Sequence, residues 1–270
     1  MSLEKAKRNR DDYRETIKLF NKSEFNNNNI RSLLGGLGSD YISFGYLNYF
    51  LDQDLYIFKE SASKSAQINA FIFKHYADNE YKSGGIIYDN VLIPFLSDNP
   101  EMIQNFMQFP YQDYVKGFKP SIYMINAIKN LENKDEAAAL HHIQLLEAHV
   151  LKKDKSFAGI PGVLRGILEK DFDLIDKNIM RSIKLLTHRP SFDSFKLMDY
   201  ETISIAKVAS YFGFETRVDH PLVPKVLIPY SPLPIYEKID FLKDLPTFEK
   251  YVADSLQAQK DALPWYKKLF

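Results

Sequence analysis

A chain of 270 residues is long enough for one large domain or two small ones with a substantial core. Lys plus Arg and Asp plus Glu both number 35, so the formal net charge is zero, which argues against a broad nucleic-acid-binding face built on excess Lys and Arg. Cysteine is absent, which excludes disulfides, Cys-ligated zinc, iron–sulfur clusters and Cys nucleophiles.

The opening "MSLEKAKRNRDDYRETIKLF" carries no apolar core of signal-peptide length. No apolar run reaches the roughly 20 residues a membrane span needs. The expectation is a soluble, cytoplasmic protein with no membrane partner. Residues 3–20 place Leu3, Tyr13, Ile17 and Leu19 or Phe20 near helical spacing, which predicts an amphipathic opening helix. "NNNN" at 26–29 breaks it, since Asn favours turns. "LLGGLGSD" at 33–40 reads as a flexible joint, with Ser39 or Asp40 as N-cap of the next helix.

From there the chain reads as paired helices. "YISFGYLNYFL" and "LYIFKESASKSAQINAFIFKHY" are parted by "DQD". "YDNVLIPFL" and "EMIQNFMQF" are parted by "SDNP", with Pro94 predicting a kink or early break. "PSIYMINAIKNL" and "EAAALHHIQLLEAHVL" are parted by "ENKD". "IPGVLRGIL" and "FDLIDKNIMRSIKLL" are parted by "EKD". The helix-ending leucines Leu96, Leu131 and Leu168 recur about 36 residues apart, close to the period of roughly 34 of tetratricopeptide-type hairpins. The full tetratricopeptide signature is missing. Pro120 and Pro161 suit first turns, and Gly213 suits the end of a last helix over 199–213.

After Gly213 the chain turns proline-rich: Pro221, Pro224, Pro229, Pro232 and Pro234. Prolines hold it extended and block further helix. "RVD" and "KVLIPY" could be short and extended. Leu222, Val223, Val226, Leu227 and Ile228 are too apolar for a free linker, so the stretch reads as a strap packed on the helices. A closing helix near 247–262 follows, with Trp265 and Phe270 anchoring its end. The predicted fold is all-α: stacked helical hairpins, a tetratricopeptide-like array, with an extended proline-rich C-terminal strap. Residues 1–38 form the first helix and joint, 39–213 the array and 214–270 the strap and closing helix, all in one structural domain.

Candidate chemistry is sparse. "SASK" at Ser61–Lys64 fits the S-x-x-K pairing in which a desolvated lysine activates a serine, and "KSG" at 82–84 echoes a second element. The third element, S-D-N, is missing, so a solvated helix face is the better reading. His142 and His149 share a helix face, yet seven residues rise roughly 10 Å, too far for one ion. Neither they nor His75, His141, His188 and His220 form a metal-binding pattern. "GGLG" at 35–38 lacks the lysine and the preceding strand of a phosphate loop. Acid groups such as Asp52, Asp54 and Glu60, or Asp171, Asp173 and Asp176, suit helix N-termini. "PLVP" and "PYSP" fit the P-x-x-P ligand pattern, although their large apolar neighbours favour packing within the chain. No catalytic residue, cofactor or metal is expected. Tyr41, Tyr49 and Tyr56, with Asp52 among them, are the candidate partner-binding residues, because tyrosine supplies rigid area with a polar tip. The competing reading is a half-buried seam between helices.

The stretch "DYETISIAKVASYFGFETRVDHPLVPKVLIPYSPLPIYEKIDFL", 199–242, resembles the C-terminal part of the Imm49 family of bacterial immunity proteins. The resemblance lies in the apolar helix Ile203–Phe212, the stop at Gly213, and the run Val218, Asp219, His220, Pro221, Leu222, Val223, Pro224. His220 stands where a small residue is expected. "GVLRGILEKDFDLIDKNIMRSIKLLTH", 162–188, is similar to the hairpin that precedes this helix in the family. The resemblance implies a mostly helical cytoplasmic protein that neutralises a cognate toxin by direct stoichiometric binding, without catalysis. A helical-repeat scaffold for a peptide or signalling partner is the alternative, and a groove lined by Asn and Arg would favour it. Oligomeric state is left open.

Overall fold

Several helices in this chain begin where a side-chain oxygen is at hand for the unpaired N–H groups of the first turn. The computed structural model describes residues 2–20, 30–75, 92–108, 119–153, 158–186 and 197–245. Nine α-helices lie among the described residues: α1 Leu3–Phe20, α2 Ile30–Asp52, α3 Leu55–His75, α4 Pro100–Gln108, α5 Lys119–Glu132, α6 Glu136–Lys153, α7 Ile160–Glu169, α8 Phe172–Leu186 and α9 Tyr200–Tyr211. A further helical turn covers 92–97. No β-strand occurs among the described residues, only an isolated bridge between His220 and Val223.

One device recurs at the hairpin corners. Gln53, Asp98, Lys134 and Lys170 adopt positive φ, between 57° and 60°. Each is followed at once by an Asp or Asn that caps the next helix. The Oδ1 atoms of Asp54, Asn99, Asp135 and Asp171 accept from the backbone N–H of Ile57, Met102, Ala138 and Leu174, at 2.9 to 3.3 Å. The left-handed residue turns the chain, and the side-chain oxygen satisfies an orphan donor of the next first turn. Asp98, Lys134 and Lys170 are spaced about 36 residues apart, the step read from the leucines. Pro94 sits in the short turn before Asp98, and its carbonyl accepts from the Ser97 hydroxyl at 2.7 Å.

The helices stack pairwise: α1 on α2, α2 on α3, α5 on α6, α6 on α7, α7 on α8, with α9 against α7 and α8. Glycines set the closest approaches. Gly159 at the N-cap of α7, and Gly162 and Gly166 on it, face α8. A Cβ on Gly159 would lie 2.4 Å from the backbone oxygen of Asn178, one on Gly162 2.2 Å from the Asn178 amide carbon, and one on Gly166 2.6 Å from Ile175 Cγ1.

The joint expected at 33–40 is not there. Helix α2 runs unbroken from Ile30 to Asp52, so it crosses the expected boundary at residue 38 and neither Ser39 nor Asp40 is an N-cap. Ser39 instead donates back to Gly35 O at 3.1 Å inside the helix. Packing outweighs the helix penalty of the glycines: Leu34 and Leu37 of this stretch are buried with Ile17 of α1 and with Ile68 and Ile72 of α3. The phosphate-loop reading of "GGLG" falls with the joint, because these amides lie inside a helix.

Among the described residues the core consists of two large clusters and a small third of Ala66, Ile93 and Met102. The larger joins α2 to α9 through residues such as Phe58, Phe95, Ile125, Leu164, Ile179 and Ile205. The smaller joins Ile17 of α1, Ile30, Leu34, Leu37 and Tyr41 of α2, and Ile68 and Ile72 of α3. The proline-rich segment belongs to both. Val218, Val223, Leu227 and Ile228 enter the larger cluster, and Ile239, Leu242 and Leu245 the smaller. It is therefore a strap packed on the helices, as its apolar content predicts, although Val226 is exposed at 55%. Gly213, at φ +88°, ends α9 as expected. "KVLIPY" is no strand: Lys225–Leu227 makes a single 3-10 turn. The closing helix near 247–262, Trp265, Phe270, "NNNN" and "KSG" lie outside the described residues.

Candidate functional site

The sequence-predicted contact residues do not share one open face. Tyr41 and Tyr49 are buried, in the smaller and the larger cluster respectively. Tyr49 packs on Phe58 with ring centres 6.0 Å apart, which is the inter-helix seam of the competing reading. Asp52 is exposed and pairs with Arg10 of α1. Tyr56 alone among the three tyrosines is exposed, at 52%.

The catalytic candidates are engaged elsewhere. Ser61 is buried against Gly45. Lys64 donates to Glu237 at 2.6 Å and lies 3.6 Å from Glu60. Burial pulls the Lys64 pKa down, but the Glu237 hydrogen bond and the surrounding negative charge leave it raised, so it is an ammonium and not a base. Asp54 and Asp171 are helix caps. Asp173 and Asp176 both bind Arg217, the latter at 2.8 Å to Nε. The Nδ1 atom of His220 accepts from the Leu222 N–H at 3.1 Å. Among the described residues no group of three or more His, Asp or Glu side chains is placed to hold a metal ion. No described helix is long and apolar enough to cross a membrane.

The site that sequence reasoning missed lies beneath the strap. Lys207 of α9 is wholly buried, as is Asp98 in the turn before α4, and Lys59 of α3 is nearly so. Lys207 Nζ donates to Asp98 Oδ2 at 2.8 Å and to the carbonyls of Leu227 and Pro229 at 3.0 and 3.2 Å. Those three acceptors match the three N–H bonds of an ammonium. Lys59 Nζ lies 2.9 Å from the same Asp98 oxygen and donates to the Ser231 carbonyl. One carboxylate thus holds two ammonium groups, and both reach on to strap carbonyls. Proline-rich backbone has few N–H groups of its own, so its carbonyls lack ladder partners and buried lysines supply them.

The lock continues along α3. Tyr236 donates to Ser97 O at 2.7 Å and accepts from Leu233 N–H. Glu60 accepts from Glu237 N–H at 3.1 Å. The amide of Gln67 brackets the strap, donating to Glu237 O at 2.8 Å and accepting from Ile239 N–H at 3.0 Å. Chemically this arrangement is a clamp. A buried amine with a lowered pKa is a candidate nucleophile in general, but Lys207 has no exposed surface and its donors are all taken.

Burial lowers the Lys207 pKa to about 8 against the partial support of Asp98, with Lys59 lowering it further. The sign of the consequence follows directly. Between about pH 8 and 10.5 the folded protein has released a proton that the unfolded chain keeps, so this group makes stability rise with pH in that window. The stability difference between wild type and Lys207→Met, followed by urea unfolding, should therefore shift toward wild type from pH 8 to 10. A difference independent of pH would show that Lys207 titrates normally.

A second feature is a groove of about 320 Å³ between α6, α7 and α8. Its apolar lining is Val150, Ala158, Pro161 and Leu174, and its polar lining is Glu147, Arg165, the buried Asn178, and the exposed Lys177 and Arg181. No protein-family model, curated protein or solved structure matches this chain.

Proposed function

We propose that the chain is an immunity protein that neutralises a cognate bacterial toxin in the cytoplasm by direct stoichiometric binding, without catalysis. The observation that carries the reading is the strap. Within the stretch that bears the resemblance, 199–242, the residues after α9 are fastened to α3 and α9 by buried ammonium–carbonyl contacts and to the 97–99 turn by the Tyr236 hydroxyl. A preorganised surface loses little conformational entropy on binding, which is what a tight inhibitor of a protein needs. We read the recurring capped hairpins as a tetratricopeptide-like repeat array, an architecture that presents extended binding faces. The engagement of Lys64, Asp173 and Asp176 in ion pairs supports a non-catalytic role.

The groove between α6, α7 and α8, lined in part by Asn178, Arg165 and Arg181, favours a second reading, a helical-repeat scaffold for a peptide. Co-expression with the toxin encoded beside the gene separates them. An immunity protein restores growth and co-elutes with the toxin on size exclusion. Continued killing without a complex would leave the scaffold.

A further inference from the structure

We infer that the groove between α6, α7 and α8 is a docking surface for an acidic segment of a protein partner, one carrying an apolar side chain between its carboxylates. The charge arrangement around the groove is the argument. On the α7 wall, Arg165 is spent: it binds Glu147 through two parallel hydrogen bonds of 2.8 and 2.7 Å and meets Glu169 at 3.3 Å. That wall has no free cation among these groups. On the α8 wall the acids are turned away. Asp173 and Asp176 are held by Arg217 on the strap side, and Thr216 and the Arg217 N–H add hydrogen bonds to Asp176.

What remains over the groove is Lys177 and Arg181, exposed and without an ion pair among the described residues. They stand one helical turn apart, the spacing at which like charges repel. A helix surface designed only for stability would place an acid between them. Asn178, next in sequence, is buried against Gly162 with its Nδ2 used on Leu174 O at 2.8 Å, so it gives them no partner.

The shape agrees with the charge. The floor is apolar and firm, because α7 and α8 meet through glycines. A volume of about 320 Å³ is at the low end for a small-molecule pocket and suits one or two side chains of an extended segment. An apolar side chain fills the floor while flanking carboxylates reach Lys177 and Arg181. Nucleic acid fits less well: a phosphate backbone needs a row of cations along its length, and among the described residues this groove offers only Lys177 and Arg181 beside an apolar floor.

The inference rests on the chain being a protein-binding molecule and does not depend on which partner it meets. Its test pans a display library of short random peptides on the full chain, and counter-screens on Lys177→Glu with Arg181→Glu. A labelled single-stranded oligonucleotide is the second probe. The expected result is a pool enriched in Asp and Glu around one apolar residue, with affinity at least about tenfold weaker for the double variant. Lys177→Ala with Arg181→Ala, at the same exposed positions, should weaken binding in the same direction with an unchanged melting profile. A pool without acidic bias, equal binding by the variants, or preferential binding of the oligonucleotide would overturn it. A toxin complex that survives both double variants would remove this groove from the interface and leave the binding function standing.

Discussion

Asp98→Asn is expected to destabilise the protein by roughly 3–5 kcal/mol, the cost of breaking a buried ion pair from one side. Asparagine keeps the shape of the side chain and tolerates the positive φ of 58° at this corner, so the loss reports the charge. Without the carboxylate, Lys59 and Lys207 are left as two buried ammonium groups facing each other across a neutral amide. Lys207→Met should cost less, because it leaves Asp98 paired with Lys59 and exposes only two carbonyls to desolvation. Denaturant unfolding of the two variants gives the order directly. Equal costs, or a harmless Asp98→Asn, would mean the three groups are not one coupled unit.

Gly159→Ala should be the most damaging glycine substitution where α7 meets α8. The added Cβ meets the backbone oxygen of Asn178 at 2.4 Å as well as Ser182 Oγ at 2.0 Å. A hydroxyl can rotate away, whereas a helix backbone cannot, so α7 and α8 must part. Overpacking of this kind costs typically 1–3 kcal/mol. Gly162→Ala should cost less, since its clash is with the end of the Asn178 side chain. Gly35→Ala, with nothing within 4 Å, should stabilise α2 slightly through helix propensity. Melting temperatures of the three variants test the ranking. A Gly159→Ala protein as stable as Gly35→Ala would show that α7 and α8 are not in contact at the glycines.

The hairpins were readable from sequence because their corners are written locally. "QD", "DN" and the two "KD" pairs each join a residue that can turn left-handed to a side-chain cap, and both jobs depend on neighbours in the chain. The strap was readable for the same reason, since proline and apolar content act at the residues that carry them. The course of α2 was not readable. "LLGGLGSD" has the composition of a joint, and it is the burial of Leu34 and Leu37 against α1 and α3 that favours a continuous helix. Nor was the clamp. Lys207 and Asp98 are 109 residues apart, and two of the lysine's partners are backbone carbonyls, which no side-chain pattern marks. The single signal was a lysine in "ISIAKVAS", where Ile203, Ile205, Ala206, Val208 and Ala209 are all buried and leave it no solvent-facing side. The tyrosines misled by type: the tip of Tyr49 suits an interface, but its ring is needed against Phe58.

One-to-one occupation of a toxin is the proposed action of this molecule. The direct measurement titrates the purified chain into a fixed amount of the toxin encoded beside it and records residual toxin activity. Binding without catalysis predicts a linear fall that reaches zero at one equivalent. Full loss of activity at a small fraction of an equivalent would mean turnover, and undiminished activity at large excess would mean that the two proteins do not meet.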